Sequence, residues 1–218
     1  MKDRHLLIFD LDGTLIDSKL DLAASVNAML AYKGRPAISL ETVAEYVGNG
    51  APVLVRRALG PEASEQEVEE SLLFFLDYYR EHMLDATTLY PGVREALARL
   101  HAASTAMAVL TNKPWRFSQA LLMRLNIGRW FFRIYGGNSF ADKKPNPVGI
   151  ETLMSESGVG ASRTTMVGDS AVDVRTARNA GVTACGCRWG FQPETFASDP
   201  PDFYIDDMGE LADRVLGG

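Results

Sequence analysis

Short apolar runs alternate with longer amphipathic stretches along this chain, and the alternation changes character in one region. Leu6-Leu7-Ile8-Phe9 is too short for a helix and too apolar for a loop, so it reads as a buried parallel strand. Comparable runs recur from Ala106 to Leu110, Thr164 to Val167 and Val182 to Cys187, with shorter ones from Phe131 to Tyr135 and Phe203 to Ile205. Helical periodicity fills the intervals at 92–101, 115–126, 147–157, 171–180 and 208–215. Strands alternating with helices predict an α/β protein with an open, doubly wound parallel sheet. From 16 to 86 no strand is legible, and amphipathic helices are predicted at 19–33, 40–47, 51–59 and 64–84. The last is the clearest, with Val68, Leu72, Phe75, Leu76 and Tyr79 at helical spacing. An all-helical insert of about 70 residues after the first strand is expected to form a second domain over the sheet's active end. The division is then 1–15 with 87–218 as the core and 16–86 as the insert, with Pro91-Gly92 marking the return to the core.

Composition narrows the function classes. The 218 residues, 46% hydrophobic and 23% charged, have the make-up of an ordinary globular protein with ample core. A formal net charge of -6 argues against a nucleic-acid partner, and it means that an anionic substrate must be drawn in by a local site. No apolar run is long enough to cross a membrane as a helix, so no membrane partner is expected. Met1-Lys2-Asp3-Arg4-His5 leads into an apolar run too short for a signal-peptide core, and a cytoplasmic address is expected. Cys185 and Cys187 alternate along a predicted strand without metal-ligand partners, and they read as reduced structural thiols. His5, His82 and His101 fall outside every motif below, which leaves acid–base chemistry to carboxylates.

The chemistry-bearing residues gather at predicted strand ends. In Phe9-Asp10-Leu11-Asp12-Gly13-Thr14 the first strand exits into two acids, at the sheet edge where open α/β folds bind ligands. Such acids repel unless a proton or a hard cation such as Mg2+ holds them, although Asp and Gly also serve turns for geometry alone. Thr111-Asn112-Lys113-Pro114 places a hydroxyl and an amide after the second long strand. Lys143-Lys144-Pro145-Asn146-Pro147 precedes a helix, and a lysine pair in such a loop is otherwise a solvated feature. Gly168-Asp169-Ser170-Ala171-Val172-Asp173 offers two acids about one helical turn apart, where acids also suit a helix dipole.

Taken together, and in this order, these segments resemble the motifs of the haloacid dehalogenase superfamily, in its Mg2+-dependent phosphatase branch. The resemblance spans the chain, with the helical insert where that family places its C1 cap. It implies a Rossmann-like core and a covalent mechanism on a small-molecule phosphate ester. Asp10 is implied as the nucleophile, and Asp12 as the acid that protonates the leaving alcohol and then activates water. Mg2+ is implied between Asp10, the Asp12 backbone carbonyl and Asp169. Thr111 and the Asn112 amide are implied to hold phosphoryl oxygens. Lys144, directly before proline, rather than Lys143, is implied to neutralise charge, and Asp173 to position Lys144 or metal-bound water.

Finer cues are similar to the phosphoglycolate phosphatases within that superfamily: Asp21-Leu22-Ala23-Ala24-Ser25-Val26, Val47-Gly48-Asn49-Gly50-Ala51, Arg56-Arg57-Ala58-Leu59 and Leu110-Thr111-Asn112-Lys113-Pro114. They imply 2-phosphoglycolate as substrate, and another small phosphate or a sugar phosphomutase reaction stays open. Gly48, Asn49 and Gly50 read either as an interhelical turn or as a loop that meets substrate on cap closure. Arg56 or Arg57 either meets the substrate carboxylate or faces solvent. Trp130-Phe131-Phe132 reads as core, while Trp189-Gly190-Phe191 lies within approach of the site edge. A binding module on a decayed site would have lost Asp10 or Lys144, and both are present. Assembly as a monomer or a homodimer is left open.

Overall fold

A computed structural model describes residues 5–217. The segment Met1-Lys2-Asp3-Arg4, read above for targeting signals, lies outside the described residues. In chain order the elements begin with β1 (Leu6–Phe9), β2 (Ile16–Asp17), α1 (Lys19–Tyr32), α2 (Leu40–Tyr46), α3 (Ala51–Leu59) and α4 (Glu65–His82). They continue with β3 (Thr88–Leu89), α5 (Val93–Ala102), β4 (Ala106–Leu110), α6 (Trp115–Arg124) and β5 (Arg133–Tyr135). The chain closes with α7 (Val148–Ser157), β6 (Thr164–Gly168), α8 (Ala171–Asn179), β7 (Thr183–Cys187), β8 (Phe203–Ile205) and α9 (Met208–Leu216).

The six-stranded sheet runs β5-β4-β1-β6-β7-β8 with every neighbouring pair parallel, the predicted α/β architecture. β1 occupies the middle because all four of its residues are fully buried, with no polar side to give to solvent. Alternation along it feeds two cores. Leu7 and Phe9 join Met107, Val109 and Val167 on one face, while Leu6 and Ile8 join Ala106, Ala108 and Met166 on the other. Cys185 and Cys187 are free and buried in the first core. The expected strand from Phe131 shortens to Arg133–Tyr135, because a turn of 3-10 helix precedes it and sends Phe131 edge-on against Phe9, ring centroids 6.1 Å apart.

The insert packs as four helices, α1 against α4, α3 against α4 and α1 against α2. Ser39 and Ser64 cap α2 and α4, their hydroxyls accepting from the Thr42 and Glu67 backbone N–H groups at 3.1 and 3.2 Å. Val68, Phe75 and Tyr79 of the predicted α4 stripe are buried, and Leu72 and Leu76 are half-buried against the same core. One expectation is corrected: Ile16–Asp17 is a strand, paired antiparallel with Thr88–Leu89. Two residues are too few to show a period of two, so the pair left no pattern in the sequence. It joins the two crossings between insert and sheet. Beside it the buried Asp21 carboxylate accepts from the Ala86 and Thr87 backbone N–H groups and the Thr87 hydroxyl, at 2.6 to 3.2 Å. Among the described residues no helix is long and apolar enough to cross a membrane.

Candidate active site

The central strands deliver their next residues to one edge. β1 lies between β4 and β6, so the chain leaves it towards opposite sides of the sheet, the crevice where doubly wound folds bind ligands. Asp10, Thr111 and Asp169 are the residues immediately after those three strands, and all are buried. Asp10 donates its backbone N–H to Val167 at 2.9 Å and Thr111 donates to Tyr135 at 3.0 Å, which fixes both against the sheet. Gly13 turns the chain at φ 79°, and a Cβ there would overlap the Asp169 carboxylate. Glycine is required on both counts.

Four buried charges form one network. Lys144 Nζ lies 3.0 Å from Asp10 Oδ2 and 2.6 Å from Asp173 Oδ1. Asp173 also caps its own helix, its Oδ2 accepting from the Ser170 backbone N–H at 3.2 Å and hydroxyl at 2.9 Å. Asp169 accepts from the Phe191 backbone N–H at 2.7 Å and from the Thr14 hydroxyl at 3.4 Å. Asp10, Asp169 and Asp173 each offer an oxygen within 4.8 Å of the others. Burial raises Asp10 to about 6, with Lys144 opposing and Asp173 adding to the rise. Asp169 stands well above the usual carboxylate range, pushed first by burial and then by Asp173 and Asp10. Burial pulls Lys144 down, but its two acids outweigh that and leave it above an ordinary lysine.

Asp12 has different company. Its Oδ1 accepts from the Ser18 hydroxyl at 2.5 Å, and Lys113 Nζ spans both carboxylate oxygens at 3.0 and 2.9 Å. The Lys113 ammonium also lies 4.5 Å from the centre of the Tyr79 ring. Asp10 and Asp12 both open onto a cavity of about 50 Å3 between sheet edge and insert. The insert lines it with Leu22, Val47, Leu54, Phe75, Leu76 and Tyr79, together with Gly48 and Gly50.

The predicted residues separate into two groups. Asp10, Asp12, Thr111, Asn112, Asp169, Gly48 and Gly50 line the cavity, and Lys144 and Asp173 stand directly behind Asp10. Asn49 and Arg56 line a different surface groove, where Arg56 pairs with Glu65 and is largely exposed. The structure thus places Arg56 outside the cavity that holds Asp10, because the buried face of α3 is Ala51, Leu54, Val55 and Leu59. The Asn112 side chain is turned to the insert, its Nδ2 donating to Gly48 O at 2.9 Å and Lys144 O at 3.1 Å. Lys143 donates to Asn49 O at 3.3 Å. Gly50 has φ 88°, and a Cβ there would come 3.1 Å from Asn112 O, so this loop needs glycine to approach the sheet. Sequence reasoning gave no role to Lys113 and Ser18, although both stand within its motifs, and missed Gln192. Lys113 carried a usable signal, a lysine three residues past a strand that ends at the site. Gln192 did not: its Nε2 reaches the carbonyls of Ala44, Glu45 and Val47 at 2.8 to 3.0 Å, contacts that exist only in three dimensions.

Residues 7–187 match the model of the haloacid dehalogenase-like hydrolase family. The chain belongs to that family. It is 46% identical over 219 aligned residues to the phosphoglycolate phosphatase of Pseudomonas fluorescens, covering 97% of this chain and 80% of that one. It is 40% identical to the phosphoglycolate phosphatase of Vibrio parahaemolyticus, covering 98% and 97% of the two chains. The crystal structure of a predicted phosphoglycolate phosphatase from Haemophilus somnus superposes with a TM-score of 0.90 at 34% identity, covering 99% and 98%. The Rossmann-like core with a helical cap is therefore the family fold, and the insert is its cap. The acid cluster fits a divalent metal: three buried carboxylates converge, and the buried Asp10 Oδ1 has no hydrogen-bond partner. Hard oxygen donors of this kind suit Mg2+.

Proposed function

We propose that this protein is a Mg2+-dependent phosphatase that hydrolyses a small phosphate monoester, 2-phosphoglycolate foremost, through an aspartyl-phosphate on Asp10. The observation that carries the reading is the different company of two acids two residues apart. Asp10 sits in the Lys144–Asp173–Asp169 network, and Asp12 sits outside it, facing the cavity beside Lys113. Asp10, beside the acid cluster, is positioned as the nucleophile, and Asp12, facing the cavity, is positioned to pass a proton.

When bound, Mg2+ offsets the repulsion between the Asp10 carboxylate and the anionic ester. Asp10, Asp169 and the Asp12 backbone carbonyl would hold it, with Asp173 behind. An Asp10 carboxylate oxygen attacks phosphorus as the ester P–O bond breaks, and Asp12 gives its proton to the departing oxygen. Asp12 then takes a proton from the water that attacks the aspartyl-phosphate, releasing phosphate and restoring Asp10. Thr111 and the Asn112 backbone N–H hold phosphoryl oxygens, and Lys144 offsets the charge that gathers there. The segment 16–86 closes over 1–15 and 87–218 and keeps bulk water from the intermediate. The names of the relatives and the small cavity support a substrate of a few carbons, a dissolved ester in the cytoplasm.

The test is phosphate release from 2-phosphoglycolate, sugar phosphates, amino-sugar phosphates and nucleoside monophosphates, with and without Mg2+. A preference for 2-phosphoglycolate supports the whole reading. Activity led by another ester keeps the chemistry and replaces the substrate, and no metal-dependent release from any ester overturns it.

A further inference from the structure

The phosphatase chemistry accounts for the charges behind Asp10 but not for Lys113. Among the described residues lining the cavity it is the one cation, and it is 7% exposed. Its ammonium carries three donors, and Asp12 engages it through both carboxylate oxygens. Its third donor faces Tyr79, whose ring and hydroxyl lie beside it. Next to it stands a second unexplained group. Tyr79 projects from α4 into the same cavity, is 1% exposed, and the proton of its hydroxyl meets no acceptor. Burial pushes that phenol up to about 12, so it remains a donor at any working pH. The rest of the cap wall is apolar, and Arg56 lies elsewhere.

Building on the phosphatase reading, we propose that Lys113 and Tyr79 form the subsite for a carboxylate on the leaving group, which makes the enzyme selective for phosphate esters of short hydroxy acids. The geometry sets the length. The departing oxygen must lie within hydrogen-bond reach of Asp12, about 3 Å, and the Lys113 ammonium lies 2.9 Å from that carboxylate. A carboxylate one carbon from the ester oxygen meets the ammonium and the Tyr79 hydroxyl together. A longer acid runs into Leu54, Phe75 and Leu76, and a neutral alcohol offers neither group an anionic acceptor. The core thus supplies the charge that reads the acid, and the cap supplies one hydroxyl that reaches it only when closed.

The experiment compares kcat/KM for 2-phosphoglycolate with that for ethyl phosphate, which has a methyl in place of the carboxylate, in the full chain with Mg2+. Wild type, Tyr79→Phe, Lys113→Gln and Lys113→Arg are measured side by side. Because Lys113 also touches Asp12, its substitution slows both esters, so the ratio is the readout. The wild-type ratio favours 2-phosphoglycolate. Tyr79→Phe, an isosteric change, lowers the ratio about tenfold through KM, the worth of one hydrogen bond to a charged group. Lys113→Gln lowers it further, and Lys113→Arg restores part of it. A wild-type preference that survives both Tyr79→Phe and Lys113→Gln overturns this subsite and leaves the substrate assignment standing. A wild-type ratio near one overturns the substrate assignment and this inference together.

Discussion

The sheet edge and the cap face each other across one small cavity, and they contribute opposite things. The edge brings every charge: Asp10, Asp12, Lys113 and Asp169 line it, with Lys144 and Asp173 behind. The cap brings an apolar wall, the Tyr79 hydroxyl and backbone carbonyls. The contacts across the gap follow the same division, since Gln192, Asn112 and Lys143 of the core donate to the carbonyls of Ala44, Glu45, Val47, Gly48 and Asn49. Chemistry that must be held to a fraction of an ångström is mounted on strand ends in a rigid core. Shape and closure are mounted on helices tethered to the sheet through a two-residue ladder and one buried acid. Most of the hydrogen bonds across the gap use the cap's backbone, so many cap side chains can change without undoing the latch.

This division can be broken most severely from the core. Lys144→Met leaves Asp10 and Asp173 buried without their shared cation, a loss on the order of 3–5 kcal/mol together with activity, read by urea unfolding and phosphate release. A stable, active variant would show that the network is not the core's organising charge. The acid cluster itself sharpens the comparison through pH. Asp10 is raised to about 6 and Asp169 also stands well above the ordinary carboxylate value, so in metal-free protein their contribution to stability is full below about pH 4. It is lost as pH rises through the folded values. Mg2+ saturated about a hundredfold above its Kd returns about 2.7 kcal/mol at high pH, and protons compete it away near pH 4. Thermal unfolding therefore shows a larger Mg2+ shift at pH 8 than at pH 5, and equal shifts would contradict the cluster's role.

Cap-side changes are milder. Gln192→Ala removes the donor to three carbonyls at the end of α2, and about 1 kcal/mol of net hydrogen bonding translates into a roughly fivefold rise in KM with less effect on kcat. Faster amide exchange at 44–50 would accompany it, and unchanged exchange would remove Gln192 from closure. Arg56→Ala is the smallest: its partner is the exposed Glu65, so kcat/KM and melting temperature stay near wild type. A large loss of activity there would return the arginine to the substrate.

The same contrast explains what the sequence disclosed. Acids and a hydroxyl at the ends of apolar strands are legible because strand, turn and chemistry are contiguous, as at Phe9-Asp10-Leu11-Asp12-Gly13. Lys144 needed the resemblance to distinguish it from Lys143, since adjacent lysines in a loop have no local difference. The structure puts Lys144 3.0 Å from Asp10 and Lys143 on the cap loop. Helix periodicity located the cap helices to within a residue or two, yet it could not say that α3 turns Arg56 outward or that α4 aims Tyr79 at Lys113. Those facts depend on how helices pack, which is a relation between segments far apart in the chain. The Ile16–Asp17 ladder was silent for a different reason, being too short for any pattern.

The most direct measurement of the central claim is steady-state phosphate release from 2-phosphoglycolate with Mg2+ by wild type and Asp10→Asn, both verified as folded by circular dichroism. The account predicts turnover that chelation abolishes in wild type and no turnover above background in Asp10→Asn. Metal-dependent release that survives in Asp10→Asn would contradict it, because the attacking group would then lie somewhere other than the end of the central strand.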